Sequence, residues 1–172
     1  MDITTLEDLL VDEIKDLYSA ENQLVNALPK MANAVDSEDL RLALENHLEQ
    51  TKTHVERLEM LSQKLNINPK GKNCMGMEGL IAEGTEILNS KGEMEPLEAA
   101  VIGAAQRVEH YEIAAYGTAR AHARQLGYME AFNLLSQTLE EEKLADEKLT
   151  QIAENKINVQ AAMSPDAKSA KW

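Results

Sequence analysis

The chain has a single cysteine, Cys74, so no internal disulfide can form and the cross-linked framework of small secreted domains is excluded. Aromatic residues make up only 3% and proline occurs four times in 172 residues. Ala, Leu, Glu, Lys and Gln dominate instead, a composition of long helices and not of strands, which predicts an all-α fold. There is no long apolar run, and Met1 to Leu10 carries acids without a basic patch ahead of an apolar stretch. Neither a signal peptide nor a membrane span is expected, and the expected location is cytoplasmic. Positive charge is scarce as well: 17 Lys and Arg against 30 Asp and Glu leave a formal charge of −13 and a pI near 4.7. A phosphate backbone or an anionic lipid surface would be repelled, so neither nucleic acid nor membrane is an expected partner. GxGxxG, Walker A, GxSxG and HExxH sequences are also missing, and no histidine is spaced to activate Cys74, which leaves nucleophilic catalysis without support.

What remains is a chain long enough for one domain with a continuous core. Thr4 and Glu7 have the form of a capping box opening a first helix, which Pro29 kinks or ends. A second helix is predicted from Glu38 to Leu65, followed by a turn-rich stretch, Asn66 to Asn73, and a short helix from Met75 to Leu88. Pro96 suits the first position of a third long helix stopped by Gly127, and the fourth runs from Met129 to Glu154. The roughly thirty residues between the second and third long helices are too many for a tight hairpin and suit a crossover. The predicted architecture is an antiparallel four-helix bundle over residues 1–155, with a crossover carrying a short extra helix, and a polar, loosely ordered tail over 156–172.

An internal repeat agrees with two joined hairpins. A shift of 91 residues lays Glu21 on Glu112, Leu44 on Leu135, Leu48 on Leu139, Gln50 on Glu141 and Leu58 on Leu149.

The inward stripes of the four long helices are each broken by polar groups at one depth. The first reads Leu10, Ile14, Leu17, Glu21, Leu24, Leu28, and the second Leu44, His47, Thr51, His54, Leu58, Leu61. The third carries Glu109 and Glu112 among Val101, Ala105 and Val108, and the last reads Leu135, Leu139, Glu142, Asp146, Leu149. Spacings of three and four put each set on one helical face. A bare carboxylate among leucines costs several kcal/mol unless it is paired, protonated or bound to a cation. Carboxylate-bridged di-iron and di-manganese sites draw Glu and His from facing helices in this way. The candidate ligands are Glu21, His47, Gln50, His54, Glu109, Glu112, Glu142 and Asp146. Oxygen-rich ligands with one or two imidazoles suit Fe or Mn, whereas a structural zinc site would need thiolates that are not there.

Taken singly, each residue has a plainer reading. Glu21 could snorkel or pair with Lys, Glu109 could pair with Arg107 or face solvent, and His47 or His54 could be satisfied or solvent-facing histidines. Glu140, Glu141 and Glu142 form a charge run of the kind that lines a solvated face, with only Glu142 on the Leu139 and Leu149 row. Tyr18 and Tyr116 are ordinary packing residues on this reading. The coincidence across four helices is what favours a metal site.

Several segments resemble a known family. They are Asp16-Leu17-Tyr18-Ser19-Ala20-Glu21-Asn22-Gln23-Leu24, Ala27-Leu28-Pro29-Lys30-Met31, His47-Leu48-Glu49-Gln50-Thr51, Met77-Glu78-Gly79-Leu80-Ile81, Val108-Glu109-His110-Tyr111-Glu112-Ile113-Ala114 and Glu141-Glu142-Lys143. Together they resemble the YciF/YciE family of bacterial stress-associated proteins over nearly the whole chain up to the tail. The resemblance implies a ferritin-like four-helix fold, a homodimer, a two-metal centre and a cytoplasmic location. By position it carries Glu21, Glu109, Glu112 and Glu142 into that centre. One departure stands out: Gln50 replaces the glutamate of the family's His-Leu-x-Glu-Thr motif, and a neutral amide is a weaker ligand for a hard cation.

Two functions follow as expectations. One is a ferritin-like stress-response protein with a dinuclear Fe or Mn site, redox active toward oxygen or peroxide, with Tyr116 as a hydrogen-bond donor. The other is a metal-free helical dimer acting as an interaction or scaffold protein, which Gln50 favours. Iron storage in a cage is a third, weaker, since nothing in the chain specifies a shell-forming interface.

Overall fold

The computed structural model describes residues 3–163. Four long helices dominate it: α1 (Leu6–Ala32), α2 (Glu38–Lys64), α4 (Met94–Gln125) and α5 (Met129–Ile152), with the short α3 (Met75–Leu88) between α2 and α4. α1 packs on α2 and α4 on α5, and the two hairpins meet through α1 on α4 and α2 on α5. α3 lies against α1 and α4. This is the ferritin-like antiparallel bundle with a helical crossover that the sequence predicts.

The core falls into two apolar halves. One holds Leu10, Ile14, Leu17, Leu58, Leu61, Ala119 and Leu135, the other Leu24, Leu28, Leu40, Leu44, Val101, Val108 and Leu149. Burying each such leucine is worth about 1.5–3 kcal/mol. α2 ends in the first half and α4 begins in the second, so the connection through α3 has to traverse the length of the bundle. Between the halves lies a layer of buried polar side chains: Glu21, His47, Thr51, His54, Glu109, Glu112 and Glu142. The breaks in the four stripes are this layer, except Asp146, which is only half-buried.

Helix ends differ from the sequence reading in detail. The capping box at α1 is formed by Thr5 and Asp8, not Thr4 and Glu7: Thr5 Oγ1 accepts from the Asp8 amide at 3.0 Å, and Asp8 Oδ2 accepts from the Thr5 amide at 2.8 Å. Shared hydrogen bonds from Thr4 and Thr5 hold the Asp8 carboxyl down to about 2. Pro29 does not end α1, which continues to Ala32; the helix goes without the one bond that an N–H at this position would make to Val25. α4 opens at Met94, two residues before Pro96, while Gly127 with φ +77° closes it as expected. Glu98, buried on α4, accepts from the amides of Asp36 and Ser37 at 2.8 and 2.6 Å and so caps α2 across the bundle. Cys74 caps α3 with its thiol, which also meets the Tyr111 hydroxyl at 2.9 Å.

The largest difference is at the C-terminal end. In place of a tail from 156, a π-helical segment (Ala153–Ile157) leads into α6 (Asn158–Met163). Ile157 is fully buried in the core beside Ile152 and Ala153, and that burial keeps the chain helical past the expected boundary. The rest of the expected tail, 164–172, lies outside the described residues. No described helix is long and apolar enough to cross a membrane.

Candidate metal centre

The polar layer draws one acid from α1, one from α5 and two from α4, and two histidines from α2. The helical period aims them at a common point: Glu109 and Glu112 stand three apart, and His47 and His54 flank Thr51 on the stripe of α2. Glu21, His54, Glu112 and Glu142 have no solvent exposure, Glu109 keeps 2% and His47 6%.

Two groups of ligand atoms converge. His47, Glu109, Glu112 and Glu142 each offer one atom within 4.8 Å of the others, and so do Glu21, His54 and Glu142. Glu142 belongs to both. Its Oε1 lies 2.9 Å from His54 Nδ1, and its Oε2 lies 4.0 Å from His47 Nε2. His54 Nδ1 is also 3.3 Å from Glu21 Oε1, and His47 Nε2 is 3.2 Å from Glu109 Oε1. Close as these atoms are, many lack an aligned hydrogen bond. Both oxygens of Glu112 and of Glu142, one each of Glu21 and Glu109, both nitrogens of His47 and Nδ1 of His54 are buried without a hydrogen-bond partner.

The surroundings orient what the layer presents. His54 Nε2 lies 2.9 Å from Glu141 Oε2, and Glu141 is held in turn by a paired contact with Arg57, one arm of it at 3.0 Å. Nδ1 of His54 is thereby turned toward Glu21 and Glu142. Tyr116, buried on α4, donates its hydroxyl to Glu21 Oε1, which fulfils the expected donor role.

Electrostatics register the crowding of acids. Burial, more than any neighbour, raises the Glu21 carboxyl to about 7, against the opposing pull of His54. Burial followed by the charge of Glu142 lifts Glu109 well above the usual carboxylate range, and burial followed by Glu21, Glu142 and Glu109 does the same to Glu112. Burial pulls His47 down despite Glu142, so its imidazole stays neutral with a lone pair to offer. Burial also opposes the charge on His54, but Glu142 and Glu21 outweigh it and hold this imidazole up to about 10 in the metal-free protein.

Two candidates fall outside both groups. Asp146, one turn beyond Glu142, accepts from Gln106 at 3.0 Å and faces His110 Nε2 at 3.5 Å on the bundle's flank. Gln50 is exposed and lies on the rim of a cavity of about 370 Å³ between α2 and α5. The buried His47 and Glu109 form the inner end of that cavity, and Leu42 and Leu144 its exposed edge. Tyr18 is turned away from the layer, donating to Glu59 at 2.9 Å. Arg57 and Glu141 are the participants that sequence reasoning missed. Glu141 is hidden within the run Glu140 to Glu142, and only its place one residue off the buried stripe sets it apart.

The profile of a family described as a domain of unknown function, DUF892, matches residues 5–162. The chain belongs to the DUF892 family. Protein YciF of Escherichia coli strain K12 is 46% identical over 162 residues, 94% of this chain and 98% of YciF. The crystal structure of that E. coli stress protein superposes with a TM-score of 0.87, covering 91% of this chain and 99% of the other. YcfI of Rhodopseudomonas palustris, to which a structural role is ascribed, superposes at 0.85 with 43% identity, covering 88% and 97%. A Xanthomonas campestris protein at 19% identity shares the fold, with a TM-score of 0.74 over 95% and 99% of the chains. The resemblance read from the motifs is thus the family found by comparison. In this DUF892 chain the residues that break the leucine stripes, Asp146 excepted, are the same ones that gather in the polar layer.

Proposed function

We propose that this DUF892 protein is a stress-response protein of the bacterial cytoplasm, built as a homodimer around a dinuclear Fe or Mn centre that reacts with oxygen or peroxide. The observation that carries the metal reading is the set of buried, unpartnered ligand atoms on Glu21, His47, His54, Glu109, Glu112 and Glu142. Left unsatisfied, such atoms cost about 1–3 kcal/mol each, and more if charged; a pair of divalent cations satisfies them together. The donors fit the group: carboxylates and two imidazoles, with no thiolate, suit Fe or Mn. His47, Glu109, Glu112 and Glu142 would hold one ion and Glu21, His54 and Glu142 the other, with Glu142 shared. Such a pair supplies electrons or Lewis acidity when bound.

The protein's own groups prepare that chemistry. Glu141, pinned by Arg57, fixes the ring of His54 with Nδ1 inward, as outer carboxylates commonly do for ligating histidines. Tyr116 holds Glu21 in one orientation and keeps a proton beside it. The apolar halves on either side exclude bulk water, so the cavity between α2 and α5 is the approach for a small oxidant. The stress role rests on the likeness to YciF, and the dimer on the family resemblance.

The test is metal content by plasma mass spectrometry on untagged protein, with light scattering for the assembly. About two Fe or Mn per chain, lost in Glu112→Ala, is the expected result. Protein with no stoichiometric metal after growth and reconstitution with either ion would remove the reading. The metal-free scaffold would then take its place, in line with the structural role ascribed to YcfI. Fe(II)-loaded protein that neither speeds oxidation in air nor consumes peroxide would leave a metal site without redox activity.

A further inference from the structure

The cavity between α2 and α5 is larger than an oxidant needs. A water molecule takes up about 30 Å³, and oxygen or peroxide is of similar scale, whereas this cavity measures about 370 Å³. Pockets for small organic ligands begin near 300 Å³ and combine apolar walls with a few placed polar groups. Half of the lining is apolar, from Leu42, Ala43, Leu44, Leu144, Ala145 and Leu149; the buried polar groups at the inner end are His47 and Glu109, and Asp39, Asn46, Gln50 and Lys148 complete the lining. Both nitrogens of His47 and Oε2 of Glu109 lack partners.

We infer that this cavity binds a small, neutral, mostly hydrocarbon molecule carrying one hydroxyl or similar group, which it seats with the polar end against His47 and Glu109. The chemistry of the walls selects it. A charged ligand would be stripped of its water against the leucine walls, while an apolar helix from another protein would cover His47 and Glu109 and leave their polar atoms unsatisfied. A hydrocarbon body gains from the leucine walls at roughly 25 cal/mol per Å², and a hydroxyl can both donate to Glu109 and accept from it or from His47. The inference rests on the metal reading only in placing the ligand's polar end beside the ions.

The probe is n-octanol, titrated into protein with labelled leucine methyl groups, both chelator-treated and loaded with diamagnetic Zn(II), so that no paramagnetic ion broadens the methyl signals. Saturable methyl shifts confined to Leu42, Leu44, Leu144 and Leu149 are expected in both forms, so the result is independent of whether metal is held. Ala145→Phe fills the cavity and abolishes the saturable shifts. Should that variant fold poorly, Leu144→Lys changes a side chain 56% exposed at the rim and weakens octanol binding at least tenfold. No saturation up to the solubility of octanol, shifts spread equally to exposed sites elsewhere, or binding unchanged in Leu144→Lys would each overturn the inference. Metal retained by a protein that fails this test would leave the proposed centre standing without an organic ligand.

Discussion

His54 Nε2 and Glu141 Oε2 lie 2.9 Å apart, and that contact decides which nitrogen of the ring faces the buried acids. Removing it by Glu141→Gln, or loosening it by Arg57→Ala, leaves the inner ligand atoms in place but frees the ring. Outer partners of ligating histidines are typically worth 10–100-fold in metal affinity, so both variants should bind Fe or Mn about that much more weakly in chelator competition. Affinity equal to wild type in both would separate Glu141 from the site.

Glu112 has neither oxygen satisfied. Glu112→Gln keeps its volume and removes the charge, so the two forms of the protein should respond with opposite sign. The chelator-treated variant should melt higher than chelator-treated wild type by roughly 3–10 °C, the equivalent of about 1–3 kcal/mol in a chain of this size. The metal-loaded comparison should reverse, because the variant loses a ligand. A chelator-treated variant that melts lower would show that the carboxylate is content without a cation.

pH should act in the same way. A carboxyl raised on folding binds more protons in the native state, so its stabilisation is full below the unfolded value and is lost as pH climbs through the folded one. For Glu21 that window runs from 4.5 to about 7, and Glu109 and Glu112 carry it higher. His54, raised to about 10, contributes below 6.5 and loses its contribution as pH rises through 10, while the lowered His47 works weakly against the trend. Chelator-treated protein should therefore unfold at lower denaturant concentration at about pH 8 than at about pH 6. Metal affinity should rise over the same interval, since ligation displaces the protons.

Gln50→Glu puts a carboxylate at an exposed position on the cavity rim, where the resemblance read from the motifs implies one. It should leave the number of ions per chain unchanged, measured by mass spectrometry. An additional ion, or a metal gained where wild type has none, would bring residue 50 into the centre after all.

The stripes of α1 and α2 were legible because burial imposes a strict period. Every residue from Leu44 through His47, Thr51, His54 and Leu58 to Leu61 on the α2 row is buried as read. The centre of a stripe is harder to tell from its edge. Gln50 stands three from His47 and four from His54, which fits the face by spacing, yet it falls on the outer margin while Thr51 takes the middle. Asp146 follows Glu142 by four, but Gln106 on a neighbouring helix draws it to the flank. Such capture depends on a partner distant in sequence. The burial of Ile157, which extends the helical end, depends on the core it enters. Glu141 was hidden for the opposite reason: in a run of three acids, local composition points to solvent, and only Arg57 from α2 reveals the other role.

The 91-residue shift that lays Glu21 on Glu112 lays Thr51 on Glu142. The acid shared by the two ligand groups thus has a hydroxyl residue as its counterpart, and that hydroxyl is already spent on the carbonyl of His47 at 2.8 Å. The internal repeat therefore breaks off at the centre of the bundle. Two ions held there would be chemically unequal, one among three carboxylates and an imidazole, the other between two carboxylates and an imidazole. The group of His47, Glu109, Glu112 and Glu142 would therefore surround its ion with more carboxylate than the group of Glu21, His54 and Glu142 would.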